Sequence, residues 1–453
     1  MQKKFSSYWV RSAFFTFLQR FSYTIFGLIN FILIIRSLPQ AQMGIWALFL
    51  AVTSIFEATK SGLLKNAHIK FVSGSDDKKE QVSIASSSFV INSAISFIFI
   101  VILLLFSSTV STLLHSGKDL AMMLRWFIPG LIFMVFFSHL EAIQQSFLDF
   151  KGVFAGYLVR QLSFFIAILL HFLLKIPLSL RSLTIYYCIS IALGSIVLYF
   201  FSRKYIHHQF KITKAGIKKI LGFGSYIFGA NIMANLFSNL DQLMTGTFRS
   251  STAVAYYNAA SRINGFVDIP SYAAAEILFP KSSRAAVEEG HGKVRYLYER
   301  MVGILISVTT PAALFMILFP SFVITIVAGA RYQAAAPILQ LYMLTGLIRP
   351  IQNQAANILN SIGKPGLCFL INAVSLGGNL IINYICISNM GFYGAAIGTL
   401  ITCILGSIAW YIIMKKQIGI NLGNIFKYMI GFYKSVYYFL TGALLKSKKN
   451  EYT

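Results

Sequence analysis

Charge is scarce in this sequence, and acidic charge is scarcer still. Only 12% of its 453 residues are Asp, Glu, Lys or Arg, where a soluble domain carries roughly 25%. With 57% hydrophobic residues and a mean hydropathy of +0.69, that shortage excludes a water-soluble globular fold. Cysteine is equally sparse. Cys188, Cys368, Cys386 and Cys403 lie singly in apolar runs, so neither a disulfide framework nor a metal site is expected. No G-x-x-x-x-G-K-[ST] loop is present to cradle ATP phosphates, and the seven histidines show no H-E-x-x-H spacing. No Ser or Cys sits in a hydrolase nucleophile motif. The chain reads as a non-enzyme with no catalytic residues, no metal and no cofactor.

What is present is a series of apolar segments of membrane length. They cover residues 13–35, 42–63, 82–107, 120–146, 153–174, 183–202, 221–246, 253–280, 298–327, 335–361, 366–387 and 393–414. At about 20 residues per span the pattern predicts an all-α polytopic membrane protein of about 12 transmembrane helices. The start, MQKKFSSYWVRS, reads as the approach to a first helix rather than a cleaved signal, because Arg11, Gln19 and Arg20 interrupt its apolar run. A net charge of +25 raises nucleic acid as a partner, but the basic residues gather in alternate loops, at 65–80, 203–219 and 281–300 and from Lys415 onward. Retention of positive loops in the cytoplasm explains that pattern, so both termini are expected there and no nucleic acid is.

RSLPQAQMGIWA after the first span resembles FRSSTAVAYYNA after the seventh. This weak repeat predicts two six-helix halves related by a pseudo-two-fold axis along the membrane normal. The expected layout is an N-terminal half over 1–202, a basic cytoplasmic linker over 203–220, a C-terminal half over 221–414 and a basic tail over 415–453. The tail alternates apolar and basic residues. It reads as an interfacial helix or a poor thirteenth span, with Lys434 favouring the interface.

Residues 221–280 organise the rest. Asn231, Asn235, Ser238, Asn239 and Gln242 fall on one helical stripe, and Asn258, Arg262, Gly265 and Glu276 share another on the next segment. Unsatisfied polar groups in hydrocarbon cost several kcal/mol each, so the stripes are expected to face protein or a watery path. Arg20, Arg262 and Arg349 lie within spans, where one arginine costs at least ~2.5 kcal/mol. Each either pairs with a carboxylate such as Glu57, Asp241 or Glu276, or lines a cationic cavity for an anionic group. Asn353, Asn357 and Asn360 share a face with Arg349, beside Pro350; their amides suit sugar hydroxyls and phosphate, or hydrogen bonds between helices. Asp241 is the acidic candidate, either an ion site coupling transport to a gradient or an arginine's partner. Glu57 and Glu141 pose the same question, whereas Asp149, Lys151 and Glu288-Glu289 read as solvated loop charges.

Three blocks carry a family resemblance: RSLPQAQMGIWALFLAV (36–52), the 221–280 stretch with Asp241-Gln242 and VAYYNAASRI, and APILQLYMLTGLIRPIQNQAANILNSIGKPGL with GFYGAAIGTLIT. In order and spacing the chain resembles Wzx-type flippases of the multidrug/oligosaccharidyl-lipid/polysaccharide exporter superfamily. The resemblance implies two V-forming halves in the bacterial inner membrane and export of an undecaprenyl-diphosphate-linked oligosaccharide for surface polysaccharide. It implies membrane lipids and a polysaccharide polymerase as partners, and cavity-lining arginines on helices one and eight, matching Arg20 and Arg262. The competing reading on the same fold is a cation-coupled multidrug exporter, against which three intramembrane arginines argue. A polymerase or ligase would need a long external loop, and none is present.

Overall fold

The structure, a computed structural model, describes residues 2–206 and 210–450; within them the side chains of 2–13, 17, 61–62, 224–227, 229–231, 234, 276, 280, 436 and 439–450 are outside the description. His207, His208 and the side chains of Asn231 and Glu276 therefore lie outside the described residues. Helix is the only regular element among those that are described. The chain divides into two compact units, Met1–Ala255 and Tyr256–Thr453.

In the first unit, α1 (Gln2–Ser37) and α2 (Gln40–Lys60) lead into a π-helical turn (Ser61–Lys65) and α3 (Asn66–Ser73). Next come α4 (Lys78–Leu113), α5 (Asp119–Trp126), α6 (Ile128–Ser146), α7 (Phe150–Leu173), α8 (Leu180–Ser202) and α9 (Lys214–Phe248). The helix starts follow local chemistry. Asp77, Ser179 and Thr213 stand before α4, α8 and α9 in extended conformation, and each side chain accepts from a backbone N–H of the first turn. The expected span 120–146 is broken at Phe127 ahead of Pro129, and α5 meets α6 at 44°. Asp149 is no solvated charge. It binds Lys204 at 2.8 Å and accepts from the Tyr205 hydroxyl at 3.1 Å, tying the α6–α7 turn to the end of α8. Burial opposes ionisation of Asp149, but these bonds outweigh it and hold the carboxyl below its usual range.

α10 (Ser251–Glu288) begins in the first unit and continues into the second. The second unit also holds α11 (His291–Leu318), α12 (Pro320–Ala328), a 3-10 turn (Ala330–Ala335), α13 (Ala336–Ser361), α14 (Pro365–Met390), α15 (Tyr393–Ile418) and α16 (Leu422–Asn450). The expected span 298–327 breaks at Phe319, where Pro320 removes a backbone donor and restricts the residue before it. Its core joins Val294, Tyr298 and Val302 of α11 to Ile358 and Leu359 of α13 and Trp410 and Met414 of α15. The tail forms α16 and docks lengthwise on α11. Buried Glu299 accepts from Asn421 N at 2.7 Å and Asn424 Nδ2 at 2.9 Å, and the Tyr433 hydroxyl donates to the Ser307 carbonyl at 2.7 Å.

All twelve expected spans are helical. Among the described residues nine helices are long and apolar enough to cross a membrane, ten if the bent α5–α6 pair is one span. α9 and α10, with their polar stripes, stand outside that set. α9 packs on α2 and α4 of the first unit.

One glycine decides a contact. A Cβ on Gly44 would lie 1.6 Å from the Ser251 carbonyl oxygen, a backbone atom that cannot rotate away. Gly44→Val is expected to cost about 3 kcal/mol, the upper end of the usual range for overpacking. A thermal melt of the purified protein reads this as a clear fall in Tm; an unchanged Tm refutes the contact.

Candidate functional site

The first unit brings two members of the α9 stripe to α2. Asn239 Nδ2 lies 3.2 Å from Ser54 Oγ and 3.1 Å from Asn235 Oδ1, and Ser54 donates to Asn235 Oδ1 at 3.4 Å. These half-buried amides make an interhelical hydrogen-bonded seam, a role expected to be worth ~0.6 kcal/mol per bond. Gln242 on the same stripe is buried. Asp241 is half-buried on α9, and Arg20 stands on an exposed face of α1.

Two basic groups not singled out in the sequence, Arg160 and Lys65, pair with the acidic candidates Glu57 and Glu141 in the same unit. Arg160 of α7 reaches Glu57 of α2 at 3.4 Å and donates to the Tyr187 hydroxyl of α8 at 3.0 Å. Its guanidinium also sits over the Phe137 and Tyr187 rings at 5.2 and 5.5 Å. Lys65 binds buried Glu141 at 2.7 Å, and Glu141 also accepts from Gln145 at 3.0 Å and Tyr157 at 3.1 Å. Arg160 lies inside the expected span 153–174, so the rule that picked out Arg20, Arg262 and Arg349 picks it out as well.

The second unit gives Arg349 a partner outside the expected three. Its Nη1 binds Asp268 Oδ2 of α10 at 2.7 Å, and the Asp268 side chain is 5% exposed while that of Arg349 is 30% exposed. With its amide oriented to satisfy both neighbours, buried Asn264 accepts from Arg349 Nη1 at 2.9 Å and donates to the Tyr342 carbonyl at 3.2 Å. One turn further, fully buried Gln354 donates to the Ser271 carbonyl at 2.9 Å. α10 and α13 are thus stitched by an ion pair and two amides, a buried set whose members satisfy one another. Asn264 and Asp268 are i, i+4 on a membrane-length helix, a spacing visible in the sequence. On α14, buried Asn383 donates to Asn379 at 3.1 Å.

Asn258 is buried on α10. Asn353 and Asn357 are half-buried on α13, and Asn357 donates to Gln354 Oε1 at 3.4 Å. Arg262 differs from Arg160 and Arg349. It is exposed on α10, and no ion pair or hydrogen bond engages its guanidinium among the described residues. Gly265, three residues on, is also exposed, with nothing within 4 Å of where a Cβ would be. The arrangement therefore offers one open guanidinium beside bare backbone and a second guanidinium held by a carboxylate. No group of three His, Cys, Asp or Glu residues that could hold a metal ion occurs among the described residues.

A family model described as "Polysaccharide biosynthesis protein" matches residues 33–337. The chain belongs to this polysaccharide biosynthesis protein family. The matched region of this polysaccharide biosynthesis protein includes α2 to α12, and with them Arg262, Asp268 and the α9 stripe. It is 20% identical to the lipopolysaccharide biosynthesis protein WzxC of Escherichia coli strain K12, over 86% of this chain and 78% of that one. Against other curated relatives the match spans 34% to 48% of their length. Among solved structures, lipid II flippase MurJ in an inward closed conformation superposes with a TM-score of 0.76 at 17% identity, covering 92% of this chain and 90% of that one. An inward-facing MATE multidrug resistance transporter of the MOP superfamily also gives 0.76, at 14% identity, covering 88% and 94%. These likenesses identify the fold as the one shared by that flippase and that transporter.

Proposed function

We propose that this polysaccharide biosynthesis protein is a flippase for a lipid-linked oligosaccharide, carrying it from the cytoplasmic to the outer leaflet of the bacterial inner membrane. The carrier in this reading is undecaprenyl diphosphate, both termini are cytoplasmic, and a polysaccharide polymerase takes up the product. The observation that carries the reading is the open guanidinium of Arg262 on a membrane-length helix, in a family that builds polysaccharide. A guanidinium matches the oxygens of a diphosphate as a fork, and an amphiphilic drug cation would be repelled by it. Arg20, Asn231, Asn235, Asn239, Asn258, Arg349, Asn353 and Asn357 are the further candidates for contacts to the head group. Asp241 is the acidic candidate for a coupling ion.

Vesicles loaded with a fluorescent polyprenyl-diphosphate sugar test this directly. Dithionite bleaches only outer-leaflet label, so protein-free vesicles keep a protected pool, and vesicles with this protein are expected to lose it. A protected pool that persists beside active extrusion of a cationic dye selects the drug-exporter reading instead.

A further inference from the structure

Lys60 ends α2 with its side chain inside the first unit. The residue is 3% exposed, and Nζ has no hydrogen-bond partner among the described residues. It does have the face of the Phe56 ring, 5.1 Å away. A desolvated cation–π contact recovers only part of what burying an ammonium costs. Unlike Arg160 and Lys65, Lys60 is thus a basic group set deep in a helix-packed core without a matching acceptor.

The π-helical turn begins at the next residue. Such turns are rare and concentrate at functional sites. Its far end is pinned, because Lys65 is bound to Glu141 and Glu141 to Tyr157 and Gln145. Its near end holds Lys60. Exchanging a π turn for an α turn shifts the register by one residue, which rotates the near end by ~100° against the pinned one. Lys60 therefore stands at the end of the turn that such an exchange would rotate.

The ionisable groups around it are accounted for. Glu57 lies one turn earlier on α2, close enough to attract the Lys60 charge electrostatically, but its carboxylate is bound by Arg160 of α7, which also bonds Tyr187 of α8 and lies within electrostatic reach of Tyr23 of α1. On α6, Glu141 is bound to Lys65, and His139 packs edge-on to fully buried His68 of α3 at 5.4 Å. α4 presents Phe99, stacked on Phe56, and its Glu80 is bound to Lys219 of α9. α5, which also packs on α2, carries Asp119 and Arg125, and Arg125 is bonded to Ser107 and Ser108 of α4. Asp241 of α9 lies beyond the level where Asn235 and Asn239 meet Ser54, more than a turn from Lys60 along α2.

We propose that Lys60 is a proton-binding site, and, resting on the flippase reading above, that it couples flipping to a transmembrane pH gradient. The amine takes a proton from water when the π turn opens it to one side of the membrane, forming the ammonium. It releases that proton to water on the other side before returning to the buried position.

The proton site is tested without substrate. The solubilised protein is taken from pH 9 to pH 6 in weak buffer with a pH-sensitive dye, beside Lys60→Met and Lys60→Arg variants that elute as the original protein does. An ordinary lysine stays charged across that range, so the original is expected to take up about one proton more than either variant. Equal uptake overturns the proposal. If Lys60→Met does not fold, Lys60→Gln is read in the same way. Coupling is tested in the dithionite assay with an imposed pH gradient. Several-fold acceleration is expected in the original and none in Lys60→Met, and undiminished acceleration in that variant, or its loss only in Asp241→Asn, assigns coupling elsewhere. Failure of the original to move the fluorescent lipid refutes the flippase reading, while the proton count still decides the site.

Discussion

Arg349→Ala is expected to cost about 3–5 kcal/mol of stability, the range for removing one partner of a buried ion pair. Asp268 is then left nearly inaccessible to water with its 2.7 Å partner gone. Asn264 loses the donor that it accepts from at 2.9 Å. The protein should be recovered at low abundance, or melt well below the original. Replacing both partners by apolar groups of similar size is a different perturbation, since no orphaned charge remains. The double variant Arg349→Met with Asp268→Leu is therefore expected to regain most of the lost Tm. The Arg349 side chain is 30% exposed even when paired, leaving a face toward the diphosphate in the proposed reaction. The refolded double variant should then still fail to move the fluorescent lipid. Full flipping by it would make Arg349 a purely architectural residue, and an unchanged Tm in Arg349→Ala would refute the load assigned to the pair.

The helical segments were legible because most are apolar runs long enough to span a bilayer, whereas α9 and α10 were legible by length and by their polar stripes. The breaks inside two of them were not read, although Pro129 and Pro320 mark both places. The docking of α16 was hidden for another reason. It depends on Glu299, which a loop-side reading treats as one more solvated charge, and on the backbone of α11 approaching Ile425 and Tyr428 at Gly303. Neither is a property of the tail's own sequence.

The polar stripes were legible as stripes, but periodicity gives a direction and no partner. Asn235 and Asn239 point where the 3.6-residue repeat puts them, and what meets them there is Ser54, a residue of no note in its own helix. The charged residues show the same limit. Intramembrane arginines are visible one by one, whereas pairing is a property of helix contacts. Arg349 finds Asp268, and Glu57, named as a partner for other arginines, is taken by Arg160. Lys60 escaped because it sits at the end of an apolar run, where a lysine is ordinarily free to reach water. Only the packed structure turns it into a buried amine.

Those pairings leave Arg262 as the sharpest test of the cationic site. No carboxylate holds it among the described residues, and it is exposed, so Arg262→Ala removes no buried partner. Its stability should stay within about 0.5 kcal/mol of the original, as for surface positions without special contacts. Its activity should not. Loss of a charge-assisted bond to a diphosphate costs about 1.5–3 kcal/mol, or roughly 10- to 150-fold in the rate of flipping. Arg262→Lys keeps a point charge but cannot form the fork, so intermediate activity is expected. Gly265→Leu offers an independent arm, because the open space beside the backbone would be filled with no change in charge. That variant should fold and obstruct the bulky glycan head, while a truncated lipid diphosphate without sugar still passes. A structural role for Arg262 predicts the reverse order, with abundance falling first and activity per molecule unchanged. Normal flipping by a stably folded Arg262→Ala protein would remove the guanidinium from the transport path.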